Sequence, residues 1–120
     1  MAGSEKKSLD SPDETRTFEN GRVEVVKLTG ATVGRFVLEP GWRWSAHVKP
    51  RAGTDSCRLT HLGYVISGRL HVVMDDGEEL EAAAGDGYLI APGHDAWVVG
   101  DEAWNALEFE SKTAETYATS

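Results

Sequence analysis

The sequence predicts an all-β protein whose antiparallel strands form a double-sheet β-barrel. Short runs of β-prone residues follow one another along most of the chain, and glycine, proline, asparagine or aspartate separates them. No segment keeps a helical period over a useful length. Many short strands with regular turn signals are typical of an antiparallel sandwich or barrel.

The strand-like runs can be placed in order along the chain. Nine are expected, at residues 22–28, 34–39, 42–48, 58–67, 69–75, 78–84, 87–91, 96–100 and 105–110. Asp76 and Gly77 lie between the fifth and sixth runs and suit a tight hairpin turn, so these two runs are expected to pair. The stretch KPRAGTDSC, residues 49–57, interrupts the pattern and is expected to be a long loop, where functional residues often lie.

Composition divides the chain into one domain with two polar ends. Residues 1–18 are mostly Ser, Lys, Asp, Glu and Thr, so they are expected to form a flexible arm that cannot bury enough apolar surface to order itself. Residues 19–111 are expected to form the barrel, and residues 112–120 a C-terminal tail. A chain of 120 residues is long enough for a single domain with a real core.

Charge and cysteine content narrow the classes of partner. The formal net charge is −8, which disfavours binding to nucleic acid and to anionic membrane surfaces. The chain has one cysteine, Cys57, so no intramolecular disulfide is possible. The N-terminus has no apolar signal region, and no apolar run approaches 18 residues. We therefore expect a cytoplasmic protein that neither spans nor binds a membrane.

Three of the four histidines are candidate metal ligands. His61 shares a strand face with Val65 and is expected to point inward, whereas His71 is expected to point outward. His47 and His94 lie in two other segments, the second directly after a Pro-Gly turn. If the imidazoles of His47, His61 and His94 converge, they form a suitable first shell for a divalent metal such as Zn, Fe, Ni or Mn. The alternative is that each makes its own local hydrogen bond.

Cys57 is interpreted as a neighbour of the site rather than a ligand. If residues 57–61 are extended, Cys57 and His61 lie about 13 Å apart at about 3.3 Å per residue. That separation is too large for one ion, unless the loop before Leu59 curls back.

This layout resembles a small single-domain bacterial cupin of the cupin_2 type, with degenerate metal motifs, over about residues 34–110. In the first family motif a glycine precedes a histidine by six positions, and Gly41 and His47 match it. His61 lies where the family has a glutamate ligand, seven positions before Gly68. Lys49 replaces the second histidine of the motif, and the following gap is longer than usual.

The second motif is less complete. Gly85 matches its first glycine, but Ala91 stands at the proline position and Ala96 at the position of the histidine ligand. His94 lies two residues before Ala96, on the same strand face, and could bind an ion that sits nearer the barrel mouth.

The resemblance implies a jelly-roll barrel that holds one divalent metal in its mouth through His47, His61 and His94, with water completing the shell. The protein would bind or act on a small anionic organic molecule, and the sequence does not decide whether it is an enzyme. Residues expected near this molecule are Arg43, Ser45, Lys49 and Cys57. A metal-free barrel that binds a small molecule as a sensor or carrier is the alternative.

A homodimer is also expected. The strand alternation predicted for residues 42–48 places Trp42 and Trp44 together on one face, and an exposed pair of tryptophans is costly in a monomer.

Overall fold

The computed structural model describes residues 3–109, so the predicted C-terminal tail lies outside the described residues. The elements in chain order are β1 (Glu14–Phe18), β2 (Gly21–Leu28), β3 (Ala31–Leu38), α1 (Trp44–His47), α2 (Lys49–Ala52), β4 (His61–Ser67), β5 (Arg69–Met74), β6 (Glu79–Ala83), β7 (Gly87–Ile90), β8 (His94–Val98) and β9 (Trp104–Phe109). None of the described helices is long and apolar enough to cross a membrane.

The strands form two antiparallel sheets, which confirms the predicted fold class. The larger sheet has the strand order β1-β2-β3-β9-β4-β7, and the smaller sheet has the order β6-β5-β8. The predicted hairpin is present, because β5 pairs with β6 across a turn in which Gly77 has a φ of 94°. Each sheet contributes one apolar face to a common core.

Strand alternation decides which side chains of β4 enter that core. His61 and Val65 are buried, as predicted, whereas Leu62, Tyr64 and Ile66 on the opposite face are about half exposed. The 67% exposed Leu89 of the edge strand β7 pairs with Leu62, so these apolar side chains form one exposed row on the outside of the larger sheet.

The strand predicted for residues 42–48 is wrong. This segment contains α1, and both Trp42 and Trp44 are only 2% exposed. The helical turn places Trp44 and Val48 on the same side, four residues apart, and both are buried in the core. The expected outward-facing tryptophan pair is therefore absent, and the homodimer stays a prediction without that support.

The arm predicted for residues 1–18 includes a strand that sequence reasoning missed. β1 pairs with β2 along its whole length, and Phe18 at its end packs against the core. Asn20 in the connecting turn has a positive φ of 61°, a conformation that asparagine tolerates better than most residues. The hairpin with β2 and the packing of Phe18 order the last five residues of the predicted arm.

Candidate functional site

His61 is held inside the barrel by a carboxylate on the neighbouring strand. It is the first residue of β4 and is 6% exposed, while Glu108 on β9 is 2% exposed. The Nδ1 atom of His61 lies 3.0 Å and 3.1 Å from the two carboxylate oxygens of Glu108. An imidazole that donates from Nδ1 to a carboxylate directs Nε2 to the opposite side.

Glu108 is in turn held by a tyrosine that reaches across β4. Gly63 of β4 pairs with Glu108 on one side and with Tyr88 of β7 on the other. The hydroxyl of Tyr88 donates to Oε2 of Glu108 at 2.8 Å. A Cβ atom on Gly63 would meet the backbone carbonyl of Leu107 first and would lie 2.6 Å from that hydroxyl, so the glycine leaves space both for β9 and for the tyrosine that reaches the carboxylate.

His94 and Cys57 are fixed to each other by their backbones. The Cys57 amide donates to the carbonyl of His94 at 2.7 Å, and the His94 amide donates back to the carbonyl of Cys57 at 3.2 Å. The Nδ1 atom of His94 donates to the carbonyl of Ala91 at 2.8 Å. A neutral imidazole with its proton on Nδ1 carries its lone pair on Nε2, which is the nitrogen it would offer to a metal.

Cys57, His61 and His94 form a buried cluster of three possible metal ligands. One ligand atom from each lies within 4.8 Å of the others, and Cys57 Sγ is 3.6 Å from Nε2 of His61. The expected separation of about 13 Å between Cys57 and His61 is therefore wrong. Residues 58–60 lie outside any strand and β4 begins only at His61, so the two residues are not part of one extended strand, and their side chains approach each other.

Cys57 and His61 shift each other's proton affinity. Burial raises the pKa of the Cys57 thiol, but hydrogen bonds and charge from His61 and His94 outweigh it and lower the pKa to about 6. Burial lowers the pKa of His61, but the charge of Glu108 and the hydrogen bond to Cys57 outweigh it and raise the pKa to about 10. Both shifts favour the charged forms of the two side chains, a thiolate beside an imidazolium.

A small cavity lies beside the two histidines. Its volume is about 20 Å³, which is room for one or two water molecules. Most of its wall is apolar or aromatic, and the described residues that line it are Phe36, Leu38, Trp42, Trp44, His61, Leu70, Ile90, His94, Ala96, Trp104 and Glu108. The imidazoles of His61 and His94 therefore border this interior space of the barrel.

His47, the third predicted ligand, lies outside the cluster. Its Nδ1 atom accepts a hydrogen bond from the Arg43 amide at 3.0 Å, and its Nε2 atom is 3.8 Å from a carboxylate oxygen of Glu19. The curl of α1 directs this imidazole to a local backbone contact. The structure brings together His61, His94 and Cys57, and Cys57 is the member that was predicted only as a neighbour.

The other residues predicted near the small molecule lie on the same helical segment as His47. Arg43 donates to the Ser45 hydroxyl at 3.0 Å and lies 3.4 Å from Asp95. Lys49 lies 3.9 Å from Asp55. None of Arg43, Ser45 and Lys49 is among the described residues that line the cavity.

Glu108 and Tyr88 are site residues that sequence reasoning missed. Glu108 shares a strand face with Trp104 and Ala106, both of which are buried. A carboxylate in the inward register of an apolar strand is a signal of a buried polar contact, since an unpaired charge there is costly. No sequence signal indicated that His61 is the partner of this carboxylate, because the two residues lie 47 positions apart in the sequence.

Comparison with protein-family models gives no match, and comparison with curated proteins gives none either. Solved structures do match. A protein of unknown function from Rhizobium leguminosarum has a TM-score of 0.64 and 18% identity, over 90% of this chain and 96% of that chain. KdgF from Halomonas sp. has a TM-score of 0.58 and 18% identity, over 90% of this chain and 92% of that chain.

A longer protein shares the same fold. Oxalate decarboxylase from Lactobacillus farciminis, in a formate complex, has a TM-score of 0.58 and 17% identity over 90% of this chain. This chain spans only 33% of the length of that enzyme. At such identities the likeness shows the fold, and the chain therefore has a cupin-like jelly-roll fold.

Proposed function

We propose that this barrel binds one divalent metal ion through the thiolate of Cys57 and the imidazoles of His61 and His94. The ion would be presented to a small molecule in the adjacent cavity. The observation that carries the proposal is the convergence of these three ligand atoms to within 4.8 Å in a buried position.

The separation of the Cys57 and His61 ligand atoms matches that of a tetrahedral site. With Zn–S of about 2.3 Å and Zn–N of about 2.0–2.1 Å, a tetrahedral ion separates its sulfur and nitrogen ligands by about 3.5 Å. The observed distance from Cys57 Sγ to His61 Nε2 is 3.6 Å. One thiolate and two imidazoles favour zinc, iron or nickel over manganese, because thiolate is a soft ligand.

Hydrogen bonds to both histidines support the same ligand set. Nδ1 of His61 faces Glu108, and Nδ1 of His94 faces the Ala91 carbonyl, so each imidazole has Nε2 left for an ion. Histidine ligands of metals usually have such a partner on the second nitrogen, which fixes the ring and its tautomer. Three protein ligands leave a fourth position for water or a small molecule, as catalytic zinc sites do.

When bound, such an ion supplies Lewis-acid activation of a ligand or of water. The chain itself contributes a small cavity with a mostly apolar or aromatic wall, whose size limits the molecule that can enter. We infer that the molecule is small and carries a polar or anionic group, as formate does in the structurally similar oxalate decarboxylase complex.

A metal-free binding module is the second candidate, and one observation favours it. The pKa of Cys57 is low, about 6, and the pKa of His61 is high, about 10, so both charged forms are favoured. The two side chains then form an ion pair whose charges compensate each other without a metal ion. A metal must displace the proton of His61, so its binding is weakened by acid and competes with this pair.

Metal analysis of the purified protein tests the proposal. After loading with Co²⁺, the wild type should hold close to one ion per chain and show thiolate-to-cobalt charge-transfer absorption. Cys57→Ala, His61→Ala and His94→Ala should each lose the ion because each removes a ligand. His47→Ala is the matched control and should keep it.

Each contrary outcome points to a different site. If His47→Ala loses the cobalt and Cys57→Ala keeps it, the ligands are His47, His61 and His94. If the wild type holds no cobalt, the metal-free module is the correct reading.

A further inference from the structure

Two deeply buried tryptophans line the same cavity but differ in the state of their indole N–H groups. Trp104 donates from Nε1 to the carbonyl of Ala82 at 3.1 Å. Nε1 of Trp42 is equally buried, yet it has no hydrogen-bond acceptor among the residues that the structure describes. Both side chains are 2% exposed.

An unpaired buried N–H group is rare and destabilising, because it loses its bond to water and receives nothing in exchange. The backbone on both sides holds Trp42 in this position. Its amide donates to the carbonyl of Glu39, and its carbonyl accepts from the amide of Val98, both at 3.0 Å. The side chain is therefore retained in an unfavourable setting by a well-anchored segment.

The cavity lined by Trp42 also borders His61 and His94. The carboxylate of Glu108 borders it as well, but its oxygens already accept hydrogen bonds from His61 and Tyr88. The rest of the wall is mostly hydrocarbon and aromatic carbon, so Trp42 is a polar donor beside the cavity that has no partner among the described residues.

We propose that Nε1 of Trp42 donates a hydrogen bond to the molecule that occupies this cavity, and that it selects a hydrogen-bond acceptor of very few heavy atoms, such as a one-carbon carboxylate. The size limit comes from the cavity volume of about 20 Å³. The inference deepens the proposed function and rests on it, because the same molecule would face the metal ligands.

Formate binding to the cobalt-loaded protein tests the assignment, with Trp42→Phe and Trp104→Phe as a matched pair. Both substitutions remove an indole N–H and keep an aromatic ring. Formate is titrated while the visible spectrum of cobalt is followed. Trp42→Phe should bind cobalt like the wild type but lose about 10- to 100-fold in formate affinity, the value of one hydrogen bond to a charged acceptor. Trp104→Phe enlarges the same cavity but removes an N–H that is already engaged by Ala82, so it should lose clearly less formate affinity than Trp42→Phe.

A second measurement follows the wild-type protein and does not depend on how the substitutions affect formate binding. In the NMR spectrum of ¹⁵N-labelled protein loaded with zinc, formate should shift the indole N–H resonance of Trp42 and leave that of Trp104 in place. The two substitutions, made for assignment, identify each resonance. An unshifted Trp42 signal under saturating formate overturns the proposal, as does unchanged formate affinity in Trp42→Phe.

Failure of the metal site can be told apart from failure of the donor. If the wild type takes up no cobalt, the proposed function is wrong, and the NMR titration is then run on the metal-free protein. A formate-dependent shift of Trp42 there supports the donor assignment, and no shift overturns it. If cobalt binds but formate leaves the Trp42 resonance unshifted, the metal site is supported and only the assignment of Trp42 as donor is wrong.

Discussion

The two histidine-bearing regions of this barrel hold their imidazoles in different ways. In α1, His47 contacts a neighbouring backbone amide and lies 3.8 Å from the exposed carboxylate of Glu19. Inside the barrel, His61 is buried between the thiol of Cys57 and the carboxylate of Glu108. The first arrangement is local and its carboxylate is exposed, whereas the second joins three separate segments of the chain.

This difference determines what each region can do. The contact between His47 and Glu19 is long, at 3.8 Å, and the Glu19 side chain is 75% exposed, so water screens this contact and it contributes little to stability. A buried chain of charged groups cannot exchange its partners for water, so each group controls the protonation of the next. We therefore expect substitutions in the buried chain to have large effects and the same substitutions around His47 to have small ones.

The largest contrast should be in the titration of Cys57. In metal-free protein the thiolate absorbance should appear as pH rises through about 6, against an ordinary thiol value of 9.0. His61→Ala removes the main donor and positive charge but not the burial, so the midpoint should move up by more than one pH unit. His47→Ala should leave it unchanged. A midpoint near 9 in the wild type would contradict the cluster geometry.

The next contrast should be in stability. Glu108→Gln removes the charge that faces His61 in the core, and breaking a buried pair from one side costs about 3 kcal/mol in the free energy of unfolding. Glu19→Gln, which removes the carboxylate facing His47, should cause no measurable change. Urea denaturation of both variants makes the comparison, and equal midpoints would show that the buried pair has no special role.

A smaller effect is expected where Gly63 and Tyr88 support the same carboxylate. Gly63→Ala places a methyl group against the Tyr88 hydroxyl and the β9 backbone, which should cost about 1–3 kcal/mol in unfolding free energy. Tyr88→Phe keeps the ring and removes one donor to Glu108, which should cost about 1 kcal/mol. Denaturation midpoints check both values. A Gly63→Ala protein as stable as the wild type would mean that the glycine is not needed for this contact.

The smallest effects should come from the charged side chains of the helical segment. Lys49→Ala and Arg43→Ala each remove an exposed cation whose ion pair is screened by water, so cobalt stoichiometry should stay the same. Formate affinity measured by cobalt absorption should also change by less than about threefold. A large loss of formate binding in either variant would show that the small molecule binds beside Arg43 and Lys49, as first expected from the sequence.

Local pattern was enough to predict most of the strands. The β5–β6 hairpin followed from Asp76 and Gly77, and the inward face of β4 followed from the alternation around His61. The same rules gave a wrong strand for the segment containing Trp42 and Trp44, because two tryptophans with one residue between them have the spacing of side chains on one face of a strand. The helical spacing of Trp44 and Val48 was present as well, but an isolated turn of four residues is too short to give a period.

The candidate site was predictable only in part. His61 was selected as an inward residue from its strand face, and His94 was a candidate because it follows a Pro-Gly turn and shares a face with Ala96; both are buried together. Cys57 was excluded on an assumed extended path that the loop does not follow. Tyr88 and Glu108 were not linked to the histidines, because their contact depends on the strand order β9-β4-β7 and not on any nearby sequence signal.

The chain's own pattern of apolar residues and turns thus specified most of the strands and the inward face of β4, and its histidines offered His61 and His94 as candidates for a shared site. The path of the Cys57 loop, the order of strands across the larger sheet and the unpaired state of the Trp42 indole emerged only on folding. The reason is that alternation and turn chemistry act over a few residues, whereas the distance between Cys57, His61 and Glu108 depends on register and packing between segments far apart in the sequence.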